Sequence, residues 1–204
     1  MMHTECAASG IATDTAVPTP PTDARGPILL TLARAAITNA LSGAAQADAS
    51  AAWLQEPGAC FVTLTQQGQL RGCIGSLEAR RSLLSDVRAN AVAAAMQDPR
   101  FAPLTAAELA HTRIEVSVLS PMTAMTFTDE ADALTQLRPG VDGVVFSYRG
   151  RRSTFLPQVW EQLPDAVSFL THLKQKASLA PDFWAPGVQL QRYTVTKFSE
   201  ECPS

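Results

Sequence analysis

From Ile28 to Leu41 the apolar residues Ile28, Leu29, Leu32, Ala35, Ala36 and Leu41 recur at helical spacing, and Ser42-Gly43 supplies a stop. This predicts a first helix. An alanine-rich polar connection, Ala44 to Gly58, leads to the run Cys60-Phe61-Val62-Thr63-Leu64-Thr65, a turn at Gln66-Gln67-Gly68, and Gln69 to Gly75. That pattern predicts a β-hairpin. Leu83 to Met96 sets Leu83, Val87, Asn90, Ala91 and Ala94 on one helical face, with Ser82 as N-cap and Asp98-Pro99 as stop. Thr105-Ala106-Ala107-Glu108 has capping-box spacing. Arg113 to Leu119 alternates with period two, Ile114, Val116 and Val118 facing one side and Glu115 and Ser117 the other. Leu134 to Leu137 predict a short helix, and Val144 to Tyr148 with Ser153 to Leu156 predict a second hairpin around Arg149-Gly150-Arg151. Pro157 to Leu163 and Asp165 to Lys176 read as helical, and Val188 to Phe198 as strand. Hairpins interrupted by helices, without regular βαβ alternation, predict an α+β fold with an antiparallel β-sheet flanked by helices.

Ahead of this pattern neither period is visible. Ala7 to Gly26 mixes Ala, Thr, Asp and Pro and includes Val17-Pro18-Thr19-Pro20-Pro21. Residues 1–26 are therefore expected to form a disordered arm, 27–199 the domain and 200–204 a short tail. With 204 residues, 46% of them hydrophobic, the chain has the apolar side chains for a real core. The 16 Lys and Arg against 19 Asp and Glu give a formal net charge of −3, which argues against nucleic acid as a partner. No window approaches the roughly 18 unbroken apolar residues of a spanning helix, so no membrane partner is expected. Met1 to Ala24 has no basic stretch followed by an apolar one, and cytoplasmic residence is the expectation. Cys6, Cys60, Cys73 and Cys202 form no C-x-x-C pair and read as thiols, not as bridges or zinc ligands.

The segment Leu70-Arg71-Gly72-Cys73-Ile74-Gly75 stands out because glycines inside a strand weaken it and mark a bulge or the close approach of a backbone or ligand. With a three-residue turn, Cys60, Val62 and Leu64 share a core face with Leu70, Gly72 and Ile74, while Arg71 and Cys73 share the other face. A two-residue turn would undo that assignment. On one face, Cα atoms two residues apart lie about 6 to 7 Å from each other, close enough for Arg71 to favour a Cys73 thiolate.

Two readings of this segment stay open. In one, Cys73 is a nucleophile or covalent acceptor, Arg71 holds the thiolate or an anionic substrate group, and backbone donors of Gly72 and Gly75 face a developing oxyanion. In the other, Cys73 is a small packed hydrophobe and Arg71 is half of a structural ion pair. Glu115 is a candidate base or an anchor for Arg71, with a plain solvated face as the alternative. Arg100, in Asp98-Pro99-Arg100-Phe101, is a candidate second cation at a site that also reads simply as a helix stop. Gln158, in Thr154-Phe155-Leu156-Pro157-Gln158-Val159-Trp160, is a candidate ligand contact, whereas Phe155 and Trp160 read as packing anchors. Arg149, Arg151 and Arg152 read as a solvated hairpin tip, and His3, His111 and His172 carry no signature linking them to Cys73. Neither phosphate-cradling glycine loops nor H-E-x-x-H occurs, so no cofactor and no metal site is expected.

Five segments together resemble the AMMECR domain family: Leu70 to Gly75, Asp98 to Phe101, Glu115-Val116-Ser117-Val118-Leu119-Ser120, Asp142-Gly143, and Thr154 to Trp160. Its bacterial and archaeal members are called AmmeMemoRadiSam system protein A. The resemblance runs from about Leu29 to Phe198 and keeps the motifs in the family's order. It implies an α+β fold in two unequal subdomains, with the glycine-cysteine motif near the cleft between them. It also implies association with a Memo-type protein of the extradiol-dioxygenase-like class and with a radical SAM protein, but no established reaction. The sequence departs from the family pattern at Lys174, where a cysteine is usual, and at Ser178, where a glycine is usual. Two functions follow as expectations. The first is an enzyme or enzyme component in which Cys73 acts on an anionic small molecule or modified residue, with Glu115 as base and Arg71 orienting it. The second is a non-catalytic binding module that presents substrate to, or scaffolds, one of the two partners.

Overall fold

The computed structural model describes residues 22–43 and 45–201. Helix α1 (Thr22–Ser42) starts earlier than the hydrophobic pattern, and Gly26 within it sits so close to the Phe198 ring that a Cβ would lie 2.8 Å away. The rest of the expected arm, residues 1–21, lies outside the described residues. A 3₁₀ turn at Ala52–Gln55 buries Trp53 and Leu54 ahead of β1 (Pro57–Gln66) and β2 (Gln69–Gly75). There follow β3 (Arg81–Ser82), α2 (Leu83–Met96), α3 (Ala106–Leu109) and β4 (Arg113–Leu119). Beyond them come β5 (Thr123–Ala124), α4 (Glu130–Gln136), and the hairpin of β6 (Gly143–Tyr148) and β7 (Arg151–Phe155). A 3₁₀ turn at Pro157–Glu161, α5 (Ala166–Lys176), β8 (Gln189–Tyr193) and β9 (Val195–Ser199) complete the order.

The strands form two antiparallel sheets, and the fold is α+β. The first has the order β2-β1-β4-β9, with β3 pairing to the start of β1; the second has the order β5-β8-β6-β7. Leu29 and Leu32 of α1 and Val87 and Ala91 of α2 pack on Val62 and Val116 of the first sheet. Phe169, Leu170 and Leu173 of α5 pack on Phe146 and Leu190 of the second. The single C-terminal strand expected over 188–198 is instead two strands that belong to different sheets, with Thr194 between them. At that crossing Ser120 N–H donates to the Thr194 carbonyl and Thr194 N–H donates to Ser120 Oγ, each at 2.9 Å. Ala59, Leu119, Val145 and Tyr193 fill the space around it. Glu200, expected in a loose tail, accepts from Arg34 Nε at 2.6 Å and from Ile114 N–H at 2.9 Å, so the ordered packing runs past Ser199.

The first hairpin differs from its expected form in a way that matters for the site. Its loop is the two residues Gln67-Gly68, both at positive φ (50° and 77°), the backbone shape whose twist suits paired strands. The ladder pairs Thr65 with Leu70 and Leu64 with Gly72, leaving Arg71 as a bulge. One residue fewer in the turn and one extra in the strand cancel in phase. Gly72 and Ile74 therefore stay on the core side with Val62 and Leu64, as expected, while Leu70 turns outward and is 43% exposed. Gly72 is required by packing: a Cβ there would meet the Ala94 carbonyl oxygen of α2 at 2.2 Å. The alanine face of α2, with Ala91, Ala94 and Ala95 buried, brings that backbone down onto the strand.

Helix α5 ends in a Schellman motif, in which Ser178 N–H donates to the Gln175 carbonyl at 2.8 Å and Leu179 N–H to the Lys174 carbonyl at 3.1 Å. The motif puts Ser178 at φ +60°, where an L side chain is strained. Ser178→Gly is expected to raise stability by about 0.5–1 kcal/mol, after allowing for the greater freedom of glycine in the unfolded chain; a urea melt reads it. Gly72→Ala is expected to lower stability by about 1–3 kcal/mol in the same melt, because the α2 backbone must move to admit the methyl group.

Candidate functional site

The face of the first sheet turned away from α1 and α2 carries its polar residues in rows. Ladder register places Cys73, Thr63, Glu115 and Ser199 side by side on β2, β1, β4 and β9, and Gly75, Phe61, Ser117 and Lys197 in the next row. These rows floor a cavity of about 500 Å³. Its other wall is built from the second half of the chain: Pro139, Gly140 and Val141, then Leu156, Gln158 and Trp160. That wall is braced. Arg138 Nη2 lies 2.6 Å from Oδ1 of the fully buried Asp142, which closes the loop around Gly140, and Trp160 Nε1–H donates to the Asp142 carbonyl at 2.7 Å. Trp160 in turn stacks on Phe169 at 3.8 Å between ring centroids, and it is the packing anchor its sequence position suggested.

Within the cavity, Thr63 Oγ1 donates to Cys73 Sγ at 3.4 Å. Across two strand spacings, about 10 Å at Cα, Glu115 accepts from Ser199 Oγ at 2.9 Å and from Ser117 Oγ at 3.4 Å. The backbone of Cys73 is held from outside the sheet. Strand β2 is an edge, and its Cys73 N–H donates to Asp98 Oδ2 at 2.8 Å. Asp98 is itself gripped by Arg100, with Nη2 at 2.6 Å from Oδ2 and Nε at 2.9 Å from Oδ1. Arg100 first and the Cys73 N–H second hold the Asp98 carboxyl well below the usual carboxylate range. The other described thiol is in a different situation: Cys60 is fully buried among core side chains, and burial pushes it well above the ordinary thiol range.

Of the residues singled out in the sequence, Cys73, Glu115 and Gln158 line one cavity. Arg71, Gly72, Gly75 and Arg100 are not among its lining residues. Arg71 pairs with Glu108 at 3.2 Å and not with Glu115, because the bulge carries its side chain toward α3. Arg100 is committed to Asp98. Gly75 lies beneath the Phe61 ring, where a Cβ would be 2.2 Å from a ring carbon, so it has a packing reason as Gly72 does. Three contributors were missed. Thr63 follows from the correct hairpin register, and Lys197 from the alternation of Val195, Lys197 and Ser199 against the inward Phe198; Asp98 was read only as a helix stop. Lys197 is exposed at the rim, and its ammonium has no ion-pair or hydrogen-bond partner among the described residues. Among the described residues no group of His, Cys, Asp and Glu is arranged to hold a metal ion, and no helix is long and apolar enough to cross a membrane.

A family model described as AMMECR1 matches residues 30–198. Protein MJ0810 of Methanocaldococcus jannaschii is 34% identical over 183 residues, which cover 87% of this chain and 91% of that protein. A protein of Methanothermobacter thermautotrophicus is 38% identical over 143 residues, covering 69% of this chain and 74% of that protein. The crystal structure of uncharacterized protein PH0010 from Pyrococcus horikoshii superposes with a TM-score of 0.74 at 31% identity, covering 87% of this chain and 92% of that one. With the family match spanning nearly all of the described residues and both sheets, the chain belongs to the AMMECR1 family.

Proposed function

We propose that the cavity is the working site of an enzyme or enzyme component, in which Cys73 acts as a nucleophile on a small molecule or modified residue bearing an electrophilic carbon and an anionic group. The observation that carries this reading is the row Cys73, Thr63, Glu115, which lines up a thiol, a hydroxyl and a carboxylate along the floor of one cavity. A carbon–sulfur bond forms at Sγ as the π electrons of the attacked bond move to its heteroatom, the Thr63 hydroxyl donates to the sulfur, and the thiol proton passes through solvent in the cavity to Glu115. Lys197 receives the anionic group, since Arg71 and Arg100 already neutralise carboxylates of their own. The AMMECR resemblance supports a place beside a Memo-type protein and a radical SAM protein, as component A of the AmmeMemoRadiSam system. One observation favours the second reading, a non-catalytic binding module for one of those partners: among the described residues no histidine lines the cavity to activate the thiol.

Alkylation of the reduced, folded protein separates the two. With Cys6 and Cys202 replaced by serine and labelled thiols mapped by mass spectrometry, Cys73 is expected to react faster than a cysteine in an unstructured peptide at the same pH. Cys60 is expected to stay unlabelled while the protein is folded. Lys197→Gln is expected to lower the ratio of iodoacetate to iodoacetamide rates about threefold, the effect of removing one nearby positive charge. A Cys73 rate no greater than that of the peptide would overturn the nucleophile and leave the binding module.

A further inference from the structure

Edge strands expose a row of unpaired backbone groups, and β2 is the edge of the first sheet. At Cys73 that edge is closed without a strand. The N–H of Cys73 donates to Asp98 Oδ2 at 2.8 Å, and its carbonyl accepts from Arg100 Nη2 at 3.4 Å. Two side chains two residues apart thus supply the acceptor and the donor that a neighbouring strand would offer. Pro99 lies between them, and Arg100 N–H donates to Asp98 Oδ1 at 3.1 Å, so the pair is held together within its own turn as well as by the strand. The outward direction of these backbone groups also makes Thr63 and Cys73 a non-hydrogen-bonded pair, the kind whose side chains stand closest, which agrees with the contact between Thr63 Oγ1 and Cys73 Sγ.

We propose that Asp98 and Arg100 act together as a charge-neutral clamp on the Cys73 backbone, with Asp98 the positioning residue that fixes the thiol and cancels the guanidinium charge beside it. The inference rests on the nucleophile reading above and deepens it. The thiol lies in a field with several sources: Asp98 and Arg100 after α2, Glu115 on β4, Lys197 on β9, Glu161 on the opposite wall, and Arg71 on its own strand, neutralised by Glu108. The clamp brings one charge of each sign to the Cys73 backbone. Removing either member leaves the other's charge acting on the thiolate.

The test is the rate of Cys73 alkylation by iodoacetamide across pH in four full-length proteins: wild type, Asp98→Asn, Arg100→Met and the double variant. Asp98→Asn keeps an oxygen to accept the Cys73 N–H but frees the guanidinium charge, so the rate at pH 7 is expected to rise about threefold to tenfold. Arg100→Met leaves the carboxylate unopposed and is expected to lower the rate by a similar factor. The double variant restores neutrality and is expected to return within about twofold of wild type, a reversal that mere loosening of the structure would not produce. Arg100 has a side chain 53% exposed, so its replacement is compatible with folding, and thermal melts check all four. Amide exchange supplies a readout that does not need the thiol to react: Cys73 N–H is expected to be protected in wild type and in Asp98→Asn and to exchange freely in Asp98→Ala. A Cys73 that fails to alkylate in the wild type overturns the nucleophile reading and this inference together. A thiol that alkylates equally in all four proteins, or a Cys73 amide unprotected in the wild type, overturns the clamp alone.

Discussion

The reciprocal hydrogen bonds between Ser120 and Thr194 pin the two sheets to each other, and the cavity exists because of that pin. The chain leaves the first sheet after Leu119 and returns to it at Val195, so the two crossings run side by side and tie at one point. Ala59, Leu119, Val145 and Tyr193 form a small buried cluster beside the tie, whose own residues are half-buried. Tyr193 O–H donates to the Phe155 carbonyl at 3.1 Å, carrying the constraint into β7 just before the chain turns to Leu156 and Gln158. The opposite wall is therefore registered against the polar rows of the first sheet by the Ser120–Thr194 tie and by the Tyr193 hydroxyl on the Phe155 carbonyl.

Close backbone approach on the other side of the sheet does comparable work. The alanines of α2 and the missing side chain of Gly72 let a helix carbonyl lie against β2. The same helix carries Asp86, buried at the hairpin base, where its carboxylate accepts from Cys60 N–H, Ser76 Oγ, Arg81 Nε and Asn90 Nδ2 at 2.8 to 2.9 Å. A buried carboxylate with four donors is satisfied, and it holds the start of β1 to the helix that ends at the Asp98 turn. The strand bearing Cys73 is thus fixed at its root by Asp86 and at its outer edge by Asp98, both from the segment that forms α2 and its exit.

Most of the fold was legible because the hydrophobic period is strong wherever one face is buried. The α2 pattern, the alternation of β4 and the capping box at Thr105 and Glu108 all appear at the residues that predicted them. Elements too short to show a period, β3 and β5, were not visible. The candidate site was legible by residue type but not by partnership. Cys73 and Glu115 could be put on polar faces from alternation alone, yet Arg71 could not be given Glu108, since that pairing depends on a bulge and on where α3 docks. The face of Gly72 was assigned correctly from a wrong turn length, because a two-residue loop and a bulge together preserve parity. In the sequence the glycines read as marking a bulge or the close approach of a backbone or ligand, and the α2 carbonyl lies against Gly72 and the Phe61 ring against Gly75.

The division of labour among the cations follows from their chemistry. A guanidinium presents a rigid fork that matches a carboxylate, so Arg100 and Arg138 sit on Asp98 and Asp142 with two nitrogens each and brace backbone around the cavity. Arg71 is tied more loosely to Glu108, with Nε and Nη2 both on Oε1 at 3.4 and 3.2 Å. Each pair is neutral and its field falls off quickly with distance, so the framework adds little net potential to the space it encloses. Among the described residues, the charged groups that line that space are Glu115, Glu161 and Lys197. A lysine suits this place: its charge is a point on a flexible stem, able to follow a ligand into the cavity where a fork committed to a carboxylate cannot. On the proposed reading, selectivity would rest on short-range contacts at the floor and rim, and a thiol held by its backbone would meet a ligand without the surrounding arginines having to move.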